Sequence, residues 1–230
     1  MKLRSKVNEL EHNALVVATG HDYATRYLLP SAMEAERLLV AAGYSVSSFY
    51  GNKAKCAIVY THLCRCKRKG RIPRIAFLVA HGSNEGLHEK RRGEVLVDDN
   101  VCKLMRDAVI FAQSCLESGR FPESCTRGDA AVRAMVGFQP KLLVPPKRKW
   151  WRELLGQEAA ATAHAEYNNC ILKPLRAVVS GASEQHATGG AVRAWDSAAT
   201  AFLGRDDRVA MVFQANATSI KLWKAPVAEL

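Results

Sequence analysis

Apolar positions along this chain fall into short continuous runs separated by longer stretches of helical periodicity. Runs of strand length occur at 14–19 (ALVVAT), 44–50 (YSVSSFY), 74–80 (RIAFLVA) and 108–113 (AVIFAQ). A run of four to eight apolar residues bounded by turn residues is what a strand buried on both faces requires. Between them, 31–43 (SAMEAERLLVAAG) and 53–70 (KAKCAIVYTHLCRCKRKG) carry helical spacing. Ser31 with Glu34 has capping-box spacing and Gly43 can end the first of these helices. The basic residues in the last turn of the second suit the helix dipole. Strands alternating with helices predict an α/β fold with a mostly parallel central sheet flanked by helices.

Farther along, 94–100 (EVLVDDN) reads as a short hairpin piece or lid, and 131–138 (AVRAMVGF) as a helix end plus a strand. The segment 151–181 reads as helical with a break near Pro174, and 189–204 as another helix. RVAMVFQAN (208–216) and SIKLW (219–223) predict a closing hairpin. No repeat, low-complexity tract or linker divides the chain, so residues 1–230 read as a single domain.

Composition narrows the class. Hydrophobic residues make up 48% and charged residues 24%, a globular balance. The longest apolar runs fall short of the roughly 18–20 residues that span a bilayer, and polar residues interrupt the amino-terminal stretch where a signal peptide would lie. A soluble, cytoplasmic protein without a membrane span is expected. Seven cysteines are an odd number for a disulfide scaffold, and reduced thiols are the expectation. The net charge of +11 favours acidic partners, nucleic acid among them. Its basic clusters, at 64–74, 88–93 and 145–152, lie in loops and helix ends with no zinc-finger or ribonucleoprotein motif around them. Solvated loops account for such clusters more economically than a nucleic-acid site.

Two strand ends carry chemistry. The run at 74–80 leads directly into His81-Gly82-Ser83, and the run at 108–112 leads through Gln113-Ser114 into Cys115. In open α/β sheets functional residues collect beyond the carboxyl ends of strands. Neighbouring parallel strands would therefore bring an imidazole and a thiol to one rim, the arrangement of nucleophilic acyl transfer. HLCRC (62–66) lacks the second ligand pair that zinc requires, and GHD (20–22) lacks the remaining ligands of a His-Asp metal site. No metal and no cofactor is called for.

With FLVAHGS, VIFAQSCLESG, a Leu-Pro turn leading into a helix with Glu34, and LKPLRAVVSGASEQHATGGAVRAW near the end, the chain resembles the caspase-like cysteine peptidases, a group that includes caspases, metacaspases, separase and bacterial CHAT domains. The resemblance is nearest to the CHAT proteases, covers about residues 12–200 and departs from their usual Ser-Ala-Cys in having Gln-Ser-Cys. It implies a three-layer caspase-like fold and cysteine endopeptidase activity. Cys115 would attack the scissile carbonyl, His81 would carry the proton, and the backbone N–H groups of Gly82 and Cys115 would hold the oxyanion. It implies no third catalytic side chain. Glu34, and secondarily Asp22, would favour a basic residue before the cut. A helix-capping role for Glu34 and a solvated-loop role for Asp22 are the plainer readings. The resemblance further implies a protein substrate and a regulatory partner protein in bacterial signalling or antiviral defence. The alternative is a catalytically silent module of the same fold, binding nucleic acid or protein through its basic surface.

Overall fold

Four apolar segments, buried along nearly their whole length, form the middle of the six-stranded central sheet, and two less buried strands form its edges. The computed structural model describes residues 12–90, 93–116, 118–128, 131–145 and 149–226. In chain order its elements begin with β1 (Asn13–Ala18), α1 (Tyr23–Tyr27), α2 (Leu29–Ala41), β2 (Ser45–Tyr50), α3 (Cys56–Arg68) and β3 (Ile75–Val79). Three short strands follow, β4 (His81–Gly82), β5 (Leu87–His88) and β6 (Val95–Val97), then α4 (Asp99–Cys102), β7 (Val109–Cys115), α5 (Arg120–Cys125) and β8 (Ala134–Phe138). The last part comprises α6 (Trp150–Leu155), α7 (Gln157–Val179), α8 (Glu184–Phe202), α9 (Asp207–Ser219) and β9 (Ile220–Lys224).

The central sheet has the order β2-β1-β3-β7-β8-β9, parallel except for β9, which runs antiparallel to β8. Alternate residues of the inner strands feed two separate cores. Ile75, Phe77, Val79, Val109 and Phe111 face the core under α2, α7, α8 and α9. Ala76, Leu78, Ile110 and Ala112 face the core under α3, α4 and α5. Burial on both faces explains why these strands read as unbroken apolar runs. The result is a three-layer α/β fold, as expected. Among the described residues no helix is long and apolar enough to cross a membrane.

Several elements differ from the sequence reading. The segment 208–216 is helix α9, started by Asp206, whose side chain accepts from the backbone N–H of Arg208 and Val209. Only β9 of the expected hairpin is a strand, and its partner is β8. The long helical segment breaks at Gly156, between α6 and α7, while α7 runs through Pro174. Pro174 is buried beside Ile171, Leu172 and Leu175, so core packing holds the helix together where propensity would end it. The residues 131–138 contain strand β8 and no helix end.

Ser31 does not cap a helix either. α2 starts two residues earlier with Pro30 in its first turn, and Ser31 lies buried inside it, donating to Asn168 Oδ1 at 2.6 Å. Two of the seven cysteines depart from the expectation of reduced thiols: Cys102 and Cys125 are joined as a disulfide between α4 and α5, their Cα atoms 5.7 Å apart. Of the basic clusters, 64–74 covers the end of α3 and the loop into β3. Residues 91–92 and 146–148 of the other two lie outside the described residues.

Candidate active site

The parallel pairing of β3 with β7 determines where the two functional strand ends meet. Ile75 pairs with Val109 and Val79 with Gln113, a constant offset of 34 residues. His81 and Cys115 differ by the same offset and lie two residues beyond the last of these pairs. Both line one cavity just past the carboxyl ends of the strands. Cys115 is the last residue of β7 itself, so the strand runs three residues past the apolar run at 108–112.

A bulge re-aims this strand end. Against β8, Phe111 faces Val136 but Cys115 faces Phe138, so β7 gains two residues on its partner over this stretch. Such irregularities bend a strand and redirect its side chains. The Cys115 thiol faces the carbonyl of Leu142 at 3.8 Å. Gly137 makes room for the turn that follows: a Cβ there would come within 2.5 Å of Leu116 Cδ1.

Gly82 is required for a reason other than substrate access. A Cβ at this position would lie 1.8 Å from the carbonyl oxygen of Cys115 and 2.6 Å from Ser114 Oγ. The backbone of Cys115 itself occupies the space that a side chain at Gly82 would need. The loop after Gly82 is ordered by its own contacts. β4, β5 and β6 form a small antiparallel sheet, and the Ser83 hydroxyl meets His88 Nε2 at 2.6 Å. Farther on, Glu89 accepts from the backbone N–H of Cys56 at 2.6 Å and caps α3 from outside the helix.

Asp22 contacts the site through His81, where the sequence reading had a solvated loop carboxylate or a specificity residue. It is the N-cap of α1, with Oδ1 accepting from the Thr25 backbone N–H and hydroxyl at 3.0 Å each. Its other oxygen, Oδ2, is in hydrogen-bond contact with His81 Nε2. Partial burial works to raise the Asp22 carboxyl pKa, but the Thr25 N–H, the hydrogen bond from His81 and the His81 charge together hold it below the usual carboxylate value. The carboxylate is therefore ionised across neutral pH, and its contribution is lost only as pH falls through that lowered value.

Glu34 is on α2, 3.4 Å from Arg37 in an exposed ion pair, and does not line the cavity. The cavity wall is formed instead by Thr25 of α1 and Leu28 just after it, by Gln113 and Ser114, and by Leu142 and Val144. Gln113 and Ser114 are buried, and Gln113 Oε1 and Ser114 Oγ have no partner among the described residues.

The Leu142–Val144 wall is fixed from the helical layer. Asn216 of α9, fully buried, accepts from Leu143 N–H at 2.8 Å and donates to Leu143 C=O at 3.0 Å. The Tyr167 hydroxyl donates to the same carbonyl at 2.8 Å. Asn216 was invisible to the sequence reading, which had assigned its segment to a strand. On α3, His62 Nε2 and Cys66 Sγ meet at 3.2 Å, one turn apart.

No protein-family model matches this chain, and no curated protein matches it.

Substituting Gly82 tests the close approach at the site. Gly82→Ala is expected to lower stability by about 2 kcal/mol, the scale of overpacking a tight contact, and to displace the Cys115 backbone. Denaturant unfolding together with the alkylation rate of Cys115 measures both. Unchanged values in both assays would show that the contact is not tight.

Proposed function

We propose that the protein is a cysteine endopeptidase of caspase-like type. What carries this reading is the convergence of His81 and Cys115 from adjacent parallel strands on one cavity, with a carboxylate behind the imidazole. With Nε2–H donated to Asp22, the other ring nitrogen, Nδ1, is the one left to exchange protons. The Cys115 sulfur, having given its proton to His81, attacks the scissile carbonyl, and the C–N bond breaks as His81 protonates the departing amine. The thioester left on Cys115 is hydrolysed by water, releasing the carboxylic acid and restoring the thiol. No oxidant or cofactor enters this balance. Backbone N–H groups of Gly82 and Cys115 are the proposed oxyanion donors. Asp22 acts through His81 and is a positioning residue.

The substrate side chain before the cut is proposed to enter the cavity beside Cys115. Asp22 is engaged with His81 and Thr25, and Glu34 with Arg37. No carboxylate lines the cavity among the described residues, so a buried Arg or Lys would lack a counter-charge there. The unpartnered Gln113 Oε1 and Ser114 Oγ are buried behind the wall of this cavity of about 40 Å3, and an uncharged hydrogen-bonding side chain such as Asn or Thr would pair with them once substrate opens the wall. This replaces the basic preference expected from Glu34 and Asp22. A protein substrate, gated by a partner protein in a bacterial signalling or defence system, remains the biological setting the resemblance suggests.

An electrophilic peptide probe tests the activity directly. It is expected to label Cys115, to leave Cys115→Ala unlabelled, and to react at least about 10²-fold more slowly with His81→Ala. A folded protein whose Cys115 stays unlabelled, with and without added nucleic acid or partner, would refute the peptidase and favour a binding module. Matched probes bearing Asn or Arg at the position before the electrophile report the preference. Faster labelling by the Asn probe is expected, and faster labelling by the Arg probe would overturn the side-chain assignment.

Asp22→Asn separates positioning from helix capping, because Asn caps a helix about as well as Asp. Kcat is expected to fall roughly 10²-fold with KM little changed and the unfolding midpoint nearly preserved. Equal kinetics in Asp22→Asn and wild type would restrict Asp22 to its capping role.

A further inference from the structure

A second concave site lies at the other end of the sheet, where the strands begin. It is a cleft of about 860 Å3, within the range of small-molecule sites. Lys69, Arg71 and Arg74 reach it from the connection between α3 and β3, Arg106 from the turn before β7, and Arg133 from the start of β8. Three separate segments of the chain thus direct cations to one cavity. Two of these cations have carboxylate partners: Arg133 pairs with Glu184 at 2.7 Å, and Arg106 lies 3.6 Å from Asp107, which also lines the cleft. Asp107 adopts a left-handed backbone with φ of 63°, the only non-glycine residue to do so among the described residues. Such conformations cost energy and concentrate at functional sites.

The remaining lining is not that of a simple salt-binding surface. His12 and Tyr44 form a ring pair with centroids 5.5 Å apart, and Ile72 and Val178 add apolar wall. Guanidinium groups match phosphate oxygens in paired hydrogen bonds, while aromatic and apolar walls accept the face of a base. We propose that this cleft binds a nucleotide unit, with its phosphates on the arginines and its base against His12 and Tyr44, presented as a free nucleotide or within a single strand. The cleft is separated from the Cys115 site by the length of the strands, about 20 Å for six residues, and its occupancy does not depend on the peptidase reading.

The test uses the full chain with two probes, adenosine monophosphate followed by calorimetry and an end-labelled eight-nucleotide single-stranded DNA followed by fluorescence anisotropy. Binding of at least one probe at 50 mM salt is expected. For the strand, three phosphate contacts predict about a 40-fold weakening between 50 and 300 mM salt. Saturable binding of the mononucleotide would identify a free nucleotide as the source, and binding of the strand alone would identify a nucleic acid. Arg74→Glu combined with Arg106→Glu should weaken binding at least tenfold. Lys67→Glu combined with Arg68→Glu changes the net charge equally on exposed α3 positions that do not line the cleft, and should change affinity less than threefold. Tyr44→Leu should cost the bound probe about tenfold but leave tripolyphosphate binding unchanged, and thermal melts check that each variant is folded. The proposal fails if neither probe binds at 50 mM salt, if the two charge-reversal pairs weaken binding alike, if Tyr44→Leu has no effect, or if polyglutamate competes as well as the nucleotide probes.

Discussion

The pairing of β3 with β7 is the constraint on which the rest of this molecule depends. Both strands are buried on both faces, so a one-residue slip would exchange the residues of the two cores, sending Phe77 and Phe111 into the space now filled by Ala76, Leu78 and Ile110. Packing therefore fixes the register, and the register fixes the chemistry. Because the offset of 34 residues holds along the paired region, His81 and Cys115 leave the sheet side by side. Neighbouring strands are about 4.8 Å apart, close enough that the backbone of Gly82 touches the carbonyl of Cys115 and excludes any side chain between them. Hydrophobic burial thus sets how far apart the two strand ends lie.

What surrounds that pair is built by polar contacts to backbone. Asp22 satisfies the helix-start N–H of Thr25 with one carboxylate oxygen and holds His81 with the other, so helix initiation and imidazole orientation share one side chain. Asn216 plays the corresponding part across the cavity, saturating both backbone groups of Leu143 from inside the helical layer. An unpaired buried amide costs more than a hydrogen bond usually contributes, which gives the Leu142–Val144 wall a single favoured position. The two unpaired atoms left in the cavity, Gln113 Oε1 and Ser114 Oγ, stand out against this saturation.

The sequence made some of this legible and hid the rest for identifiable reasons. β1, β3 and β7 were readable because burial on both faces leaves a continuous apolar run, and the 34-residue spacing of His81 and Cys115 was visible before any register was known. Ser31 was mistaken for a cap because its spacing to Glu34 fits a capping box, yet Pro30 already starts α2 and draws Ser31 into the interior. The segment 208–216 was taken for one arm of a closing hairpin, although Asp206 supplies a helix start just before it. Asp22 could not be recognised from local pattern, since its partner is 59 residues away and the short helix it caps has little periodicity of its own. Asn216 was hidden twice, by the strand assignment and by a contact 73 residues distant.

The two ends of the sheet divide the electrostatics of the protein. Cations gather where the parallel strands start, at Arg74, Arg106 and Arg133, whereas the strand ends beyond β3 and β7 carry one imidazole, one thiol and one carboxylate. The intervening 20 Å or so of strand exceeds twice the Debye length of about 8 Å at physiological salt. Through solvent, the basic cleft therefore exerts little field at Cys115, despite a net charge of +11. On the proposed peptidase reading, activation of the thiol comes from His81 and Asp22 locally. Any influence of the cleft on the site has to pass through the packed strands themselves, where β3 and β7 begin beside the arginines and end at the imidazole and the thiol.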